Sequence, residues 1–110
     1  MSVEALVTQA YIQFLDASRD EHNWRTVSLA KYVNYEVRLV ERLPVIDAEV
    51  PCLWVELYAA DVQTSIDSCG CDDVEAAVVA AEHLISQARK LEQEAIEQRA
   101  RPDEAEGKVR

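Results

Sequence analysis

Cys69 and Cys71, two thiols one residue apart, have the most evident chemical capacity in this sequence. With Cys52 and one histidine they would supply the four sulfur and nitrogen ligands typical of a structural zinc site. His83 is a poor fourth ligand, because it lies about eleven residues into a predicted helix, roughly 16 Å along the axis at ~1.5 Å per residue. His22 lies in a predicted loop and stays open as the alternative. A metal site is one of three interpretations of this motif.

A reactive thiol is the second interpretation, since the positive end of a helix dipole stabilises a thiolate. Asp72 and Asp73 follow at once, and their negative charges oppose that effect. The third interpretation is a structural turn at Ser68-Cys69-Gly70-Cys71, with glycine supplying the tight backbone. We favour the turn and expect neither a bound metal nor a cofactor.

Catalytic groups are few. The chain has two histidines, no glycine-rich phosphate loop and no nucleophile elbow. The acidic residues have no spacing that pairs two of them for acid–base catalysis. His83 falls on the outward side of its predicted helix, as a solvated surface residue. The sequence therefore predicts a protein that is not an enzyme.

The net charge of −10 at pH 7 over 110 residues is the most unusual property of the composition. Binding to phosphates requires Lys and Arg, so we expect no direct binding to nucleic acid. Neither residue type occurs between Arg42 and Arg89, whereas acidic residues recur throughout that interval. They predict a solvated acidic surface. If that surface binds a partner, the candidate residues are Glu56, Asp61, Asp67, Asp72, Asp73 and Glu75.

Two amphipathic helices are predicted from apolar residues at helical spacing. The first covers residues 2–16, with Ser2 as N-cap. Its stripe consists of Val3, Leu6, Val7, Ala10 and Phe14, widened by Tyr11 and Leu15. The second begins at Asp72 or Asp73, where Asp72 with Glu75 fits a capping box, and Pro102 ends it. Its buried stripe consists of Val74, Ala77, Val78, Ala81, Leu84, Ile85, Ala88 and Leu91.

Alternating apolar and polar residues predict three strands between the helices. They run from Tyr32 to Arg42, from Cys52 to Ala59 and from Val62 to Asp67, with a proline-bounded connection at 43–51. In the last of them Val62, Thr64 and Ile66 are expected to face inward. Weaker alternation at 24–31 favours either a fourth strand or an extended lead-in. We therefore predict a two-layer α+β domain over residues 1–101, with an antiparallel sheet, both helices on one face, and a flexible acidic tail at 102–110.

The order helix, three strands, helix resembles the double-stranded-RNA-binding domain. The resemblance covers roughly residues 32–91. It rests on Gly70 before the second helix and on small or apolar residues along that helix, at Ala76, Ala80, Ala81 and Leu84. The family implies an α+β fold, with lysines at the start of the second helix that bind phosphate.

That function does not carry over to this chain. Asp72 and Asp73 stand where the family places its lysines, and carboxylates repel phosphates. Residues 43–51 also lack a match to the family's histidine-bearing loop. Domains of this kind without the RNA-binding residues commonly serve protein–protein contacts.

Aromatic residues on the sheet face away from the helices are the leading binding candidates. Trp54 and Tyr58 share one side of their predicted strand, and Tyr32 is expected beside them on the neighbouring strand. Aromatic anchors within a polar rim are typical of protein interfaces. Cover by further structure such as residues 24–31 is the competing interpretation.

The sequence thus predicts a small acidic protein-interaction module, with a homodimer through the sheet face as one form. The alternative is an acidic mimic of nucleic acid that inhibits a protein with a basic nucleic-acid-binding groove, as small anti-restriction and anti-CRISPR proteins do.

A cytoplasmic location is expected. No apolar run reaches the ~18–20 residues of a membrane span, so no membrane contact is predicted. The residues Met1-Ser2-Val3-Glu4 lack the basic and apolar regions of a secretion signal. Three cysteines without a framework spacing suit a reducing compartment.

Overall fold

A computed structural model of the chain describes residues 2–14, 16–42 and 53–99. Its elements are α1 (Val3–Gln13), β1 (Arg25–Lys31), β2 (Tyr35–Glu41), β3 (Leu53–Ala59), β4 (Thr64–Cys71) and α2 (Val74–Arg99). The four strands form one antiparallel sheet in the order β1-β2-β3-β4. The predicted α+β class is confirmed, and the stretch at 24–31 supplies the fourth strand.

The core lies between one face of the sheet and the two helices. The largest fully buried side chains come from all these layers: Phe14 of the α1 end, Leu39 and Val37 of β2, Leu57 and Val55 of β3, and Leu84 of α2. The alanines of the predicted α2 stripe, Ala77, Ala81 and Ala88, are fully buried. Because alanine has a small side chain, α2 approaches the sheet closely, and removal of this apolar surface from water stabilises the two-layer arrangement.

Both helices begin at a capping side chain. In α1 the Ala5 N–H donates to Ser2 Oγ at 3.1 Å, as the sequence predicts. In α2 the Ala76 N–H donates to Asp73 Oδ1 at 2.8 Å, so Asp73 is the cap. The predicted capping box of Asp72 with Glu75 is wrong, because the residue three positions beyond the actual cap is Ala76.

The outward side of α1 differs from the prediction at Tyr11. This side chain is 47 % exposed and does not widen the buried stripe. Its ring meets the edge of the Phe14 ring, with centroids 6.0 Å apart. Phe14 itself is buried and ends the helix against the core.

The last strand corrects two sequence predictions. Ser68 to Cys71 form the end of β4 and not a turn, with Cys69 opposite Val55 and Cys71 opposite Leu53. Val62 is 63 % exposed before β4 begins and Ile66 within β4 is 46 % exposed, so neither faces inward. A bulge shifts the register at this point, since Leu57 pairs with Asp67 but Tyr58 pairs with Ser65. One extra residue reverses the alternation of every position beyond it, so the two cysteines face the helices.

The turn between β1 and β2 corrects another prediction. Regular pairing in β2 begins at Tyr35, so residues 32–34 belong to the connection. The Tyr32 N–H donates to the Tyr35 carbonyl at 2.8 Å and closes this connection. Val33, expected in a strand, is 76 % exposed there. The predicted connection at 43–51, Cys52 and the predicted tail at 102–110 lie outside the described residues.

Candidate interaction surface

The sheet face away from the helices, which we call the outer face, carries large side chains on its two central strands and mostly small ones on its edge strands, apart from Lys31 at the end of β1. Strand register places three residues of β2 opposite three of β3: Glu36 with Tyr58, Arg38 with Glu56, and Val40 with Trp54. Register also places small residues on the two edge strands: Thr26 and Ser28 of β1, and Ser65, Ser68 and Gly70 of β4. No described helix covers this face, since both pack on the other side. The outer face is therefore a ridge flanked by two shallow margins.

Arg42 lies between two indole rings at one end of this ridge. Its guanidinium carbon is 4.4 Å from the Trp54 ring centroid and 4.6 Å from the Trp24 ring centroid. A cation over the face of an indole is stabilised by the quadrupole of the ring. Val40, directly opposite Trp54, is 2 % exposed although it faces away from the helices. Trp24 is thus part of the surface, whereas from the sequence it was expected only within a stretch, residues 24–31, that could cover this face.

Arg38 makes the equivalent contact at the other end of the ridge. Its guanidinium carbon lies 3.5 Å from the Tyr58 ring centroid. Its Nε is 3.3 Å from Glu36 Oε1 and 3.8 Å from Glu56 Oε1. Arg42 Nη2 lies 3.9 Å from the second oxygen of Glu56. The side chains form one alternating array of aromatic rings, guanidinium groups and carboxylates.

Hydrogen bonding in this array is incomplete. The Nε atoms of Arg38 and Arg42 are buried and have no hydrogen-bond partner within residues 2–14, 16–42 and 53–99. An unsatisfied buried donor costs about 1–3 kcal/mol, so native proteins retain few of them. The array holds both guanidinium groups in place chiefly through ring contacts and longer ion pairs.

Tyr32 does not join Trp54 and Tyr58, and this corrects the predicted aromatic triad. Its ring packs against the core on the helix side, and its hydroxyl accepts a hydrogen bond from Arg89 Nε at 3.3 Å. The reason is the late start of β2, because a residue in the connection does not obey the strand alternation that the prediction assumed. The residues that lie with Trp54 and Tyr58 are Trp24, Arg38 and Arg42.

The predicted acidic residues do not form one patch. Glu56 lies on the outer face beside both arginines, and Asp67 is half-buried on the helix side opposite Leu57. Asp61 lies in the turn before β4, whereas Asp72 and Asp73 follow its other end, about 26 Å away for eight residues at ~3.3 Å each.

Most of these carboxylates serve local structure as well. Asp61 and Asp67 each accept a hydrogen bond from the next backbone N–H, at 3.0 and 2.9 Å. Asp73 caps α2. Asp61, Asp72, Asp73 and Glu75 are nonetheless exposed to solvent. They form two separate exposed groups, one before β4 and one after it.

The two described cysteines are free thiols on the helix side of β4. Cys71 is buried, and its Sγ lies 3.5 Å from the Cys69 carbonyl oxygen. Burial, with the nearby Cys69 second, raises the pKa of the Cys71 thiol above its ordinary value. A buried protonated thiol behaves as a small apolar side chain.

Metal ligation finds no support among the described side chains. Residues 2–14, 16–42 and 53–99 contain no group of three His, Cys, Asp or Glu residues that could hold a metal ion. His83 is exposed on α2, and His22 contacts the Trp24 ring with centroids 5.4 Å apart. Cys52, the third thiol of the predicted set, lies outside the described residues.

A search of the described helices finds none that is long and apolar enough to cross a membrane. Comparisons of the chain with protein-family models, with curated proteins and with solved structures give no match.

Proposed function

We propose that this chain is a non-enzymatic protein-interaction module whose outer face binds a partner protein, including a second copy of the chain. The observation that carries the proposal is Arg42 stacked between Trp24 and Trp54 on a sheet face that neither described helix covers. Tryptophan, tyrosine and arginine are the residues most enriched at the energetic centres of protein interfaces. The surface combines these three types with a margin of small polar residues.

The outer face is suited to self-association because its parts are complementary to one another. A two-fold interface requires that each residue and its contact occur on the same patch. The ridge contains both guanidinium groups and carboxylates, at Arg38, Arg42, Glu36 and Glu56. The small residues of β1 and β4 leave room for the ridge of a second copy.

The charge distribution supports the same surface. Two chains of net charge −10 repel each other at most orientations. On the outer face three cations, Lys31, Arg38 and Arg42, stand with two carboxylates, Glu36 and Glu56. Approach through this face therefore brings together regions in which the named cations outnumber the named carboxylates, three against two.

The experiment replaces both central aromatics, Trp54→Ser with Tyr58→Ser. Buried aromatic anchors contribute at least ~2 kcal/mol each to association, so the double variant should sediment as a folded monomer where the parent sediments as a dimer. The control replaces two exposed apolar residues of α1, Tyr11→Ser with Ile12→Ser, and should leave the dimer intact. A parent chain that sediments as a monomer at high micromolar concentration overturns the self-association.

The resemblance to the double-stranded-RNA-binding domain is retained as a proposal about fold ancestry alone. The order of helix, antiparallel sheet and helix supports it, while the sheet here has four strands. The start of α2 presents Asp72, Asp73 and Glu75, without a described cation in its first turn. We therefore propose that the module binds protein and not RNA.

Mimicry of nucleic acid is the second proposal. The exposed carboxylates of Asp61, Asp72, Asp73 and Glu75 favour it, since they lie in the interval without Lys or Arg. The partner would then be a nucleic-acid-binding protein with a basic groove. We place it second because the separation of these acids by the length of β4 gives no continuous row of charges. Under both proposals the protein acts in the cytoplasm, which the free thiols of Cys69 and Cys71 support.

A further inference from the structure

A cleft of about 420 Å³ lies between the end of α1 and the edge of β1. It is lined by Gln13, Asp16, Ala17, Thr26, Val27 and Ser28. Successive side chains of a strand point to opposite faces, so a cleft lined by three consecutive strand residues follows the edge of that strand. In the described sheet β1 is an edge strand, and no described strand pairs with it on this side. The cleft occupies the place where a fifth strand would lie.

Arg25 fixes the geometry of this cleft. Its Nη1 donates to the Phe14 carbonyl at the end of α1, and its Nε donates to Glu41 Oε1 at 2.8 Å. Glu41 lies on β2, directly opposite Arg25. One side chain thereby ties the end of α1 to both strands. A site held in this way needs little ordering on binding, which favours affinity.

The cleft has an apolar floor and a polar wall. Val27 packs against the core and, with Ala17, supplies the apolar part. Gln13 and Asp16 are exposed at the wall. The two nearest arginines in sequence, Arg19 and Arg25, both pair with Glu41, and no described cation pairs with the Asp16 carboxylate. This wall therefore presents an uncompensated negative charge.

We propose that this cleft binds an extended peptide segment of a partner protein, which pairs with β1 as a fifth strand and places a Lys or Arg side chain beside Asp16. Strand addition at an open edge supplies main-chain hydrogen bonds, and the pockets beside the edge select alternate side chains. The net charge of −10 favours a basic segment over an acidic one.

The length of the segment follows from the strand. Pairing of β1 with β2 is regular from Arg25 to Ser28, and the register then shifts between Ser28 and Ala30. The straight edge thus spans four residues, about 13 Å at ~3.3 Å per residue. A short segment with few main-chain bonds gives a weak and transient contact.

The test is an NMR titration of the ¹⁵N-labelled full chain with an end-blocked peptide, Thr-Val-Lys-Val-Thr. We expect saturable shifts of the amide signals of Thr26, Val27 and Ser28. Two matched peptides separate the contributions. Replacing the lysine by glutamate should weaken binding about threefold or more, because one exposed ion pair is lost and its reversal adds repulsion. N-methylation of the valines removes backbone donors and should abolish the shifts.

Two matched protein variants each remove one negative charge. Asp16→Asn removes it at the cleft, and the control Asp61→Asn removes it away from the cleft. Asp16→Asn should weaken binding of the lysine peptide about threefold and reduce the preference for the lysine peptide over the glutamate peptide. Asp61→Asn should change neither. Equal binding of the N-methylated peptide, shifts spread over the acidic residues near α2, or no shift at 26–28 at millimolar peptide would each overturn the proposal. The outer-face proposal is judged separately, by sedimentation of the Trp54 and Tyr58 variant.

Discussion

The carboxylate of Glu92 accepts two hydrogen bonds from Asn34. The Asn34 backbone N–H donates to Oε1 at 2.9 Å, and its Nδ2 donates to Oε2 at 2.8 Å. Glu92 is 7 % exposed and is the one buried charged residue among the described parts of the chain. The contact joins the β1–β2 connection to α2, and the Asn34 carbonyl also accepts from Ala60 N–H at 2.8 Å. Tyr35 pairs with Ala59, so the start of β2 and the end of β3 lie together, and both are tied to α2 through Asn34.

Glu92→Gln should lower the free energy of unfolding by about 1–3 kcal/mol, since an amide nitrogen would then face a donor of Asn34 and leave a buried group unsatisfied. Urea denaturation measures the difference. Glu94→Gln, on the exposed side of the same helix, is the control and should change stability by less than about 0.5 kcal/mol. Equal effects of the two substitutions would contradict a structural role for the buried pair.

The two aspartates before α2 should differ in stability, although they are adjacent and carry the same charge. Asp73→Ala removes the side chain that accepts from Ala76 N–H and should cost about 0.5–2 kcal/mol. Asp72→Ala removes no hydrogen bond described for α2 and should cost at most a few tenths of a kcal/mol in stability, through the helix dipole. Thermal denaturation of both variants checks this. A larger loss at Asp72 would mean that the helix begins one residue earlier.

Much of the fold can be predicted from this sequence because burial repeats with a fixed period in each element. The alternation in β3 gives Leu53, Val55 and Leu57 as core residues, and all three are buried. The α2 stripe likewise predicts Ala77, Ala81, Leu84 and Ile85 correctly. Where the alternation of one strand is interrupted, the same reasoning fails. The extra residue at Ile66 is invisible in the pattern, because the sequence does not show which residue of β4 lacks a partner on β3.

The outer face shows the second limit. Trp54 and Tyr58 could be assigned to one side of a strand from spacing alone. Their contacts with Arg42 and Arg38 depend on the register between β2 and β3, which no local pattern reveals. Trp24 joins the array from outside any strand, so no periodicity marks it. Its place at the start of the weakly alternating stretch at 24–31 was the available signal.

Arg42→Lys should disturb both tryptophans while preserving charge. Lysine lacks the planar guanidinium that stacks between two rings, so we expect a loss of about 0.5–2 kcal/mol in stability. The chain has two tryptophans, Trp24 and Trp54, and both contact Arg42. Acrylamide quenching of tryptophan fluorescence should therefore increase. Arg89→Lys, which lies beside Tyr32, is the control and should leave the quenching unchanged. Unchanged quenching in Arg42→Lys would show that the stack does not persist in solution.

The Cys71 thiol should make the protein less stable at alkaline pH. Burial raises its pKa in the folded state, so the unfolded chain loses this proton first, near the ordinary pKa of 9.0. Below that pH both the folded and the unfolded state hold the proton, so the thiol gives stability no dependence on pH there. As the pH rises through and above it, the unfolded state binds fewer protons and stability falls.

Cys71→Ala isolates this contribution. Loss of core contacts lowers its stability at every pH, but the alkaline decrease from about pH 8 to about pH 10 should be smaller than in the parent. Urea titrations at each pH provide the slopes. Identical slopes would show that the thiol titrates alike in the folded and unfolded states.

Salt dependence separates the two proposed functions. Self-association through the outer face joins two chains of net charge −10, so added salt should strengthen it by screening their repulsion. A mimic binds a basic groove through opposite charges, and salt should weaken that binding steeply. The informative variant changes four aspartates to asparagine: Asp61, Asp67, Asp72 and Asp73. Its net charge is −10 + 4 = −6.

Asparagine keeps the acceptor oxygens of Asp61, Asp67 and Asp73, and it is as good a helix cap as aspartate, so the fold should be retained. Sedimentation at low and high salt then gives opposite expectations. If the outer face is the interface, the variant dimerises more tightly than the parent at low salt, and the two converge as the Debye length falls from ~10 Å at 0.1 M to ~3 Å at 1 M. A parent dimer that dissociates as salt rises would contradict an interface formed by rings and apolar area. If the protein is a mimic, the variant loses affinity for a basic-grooved partner mainly through a slower association rate, because the removed charges act at long range.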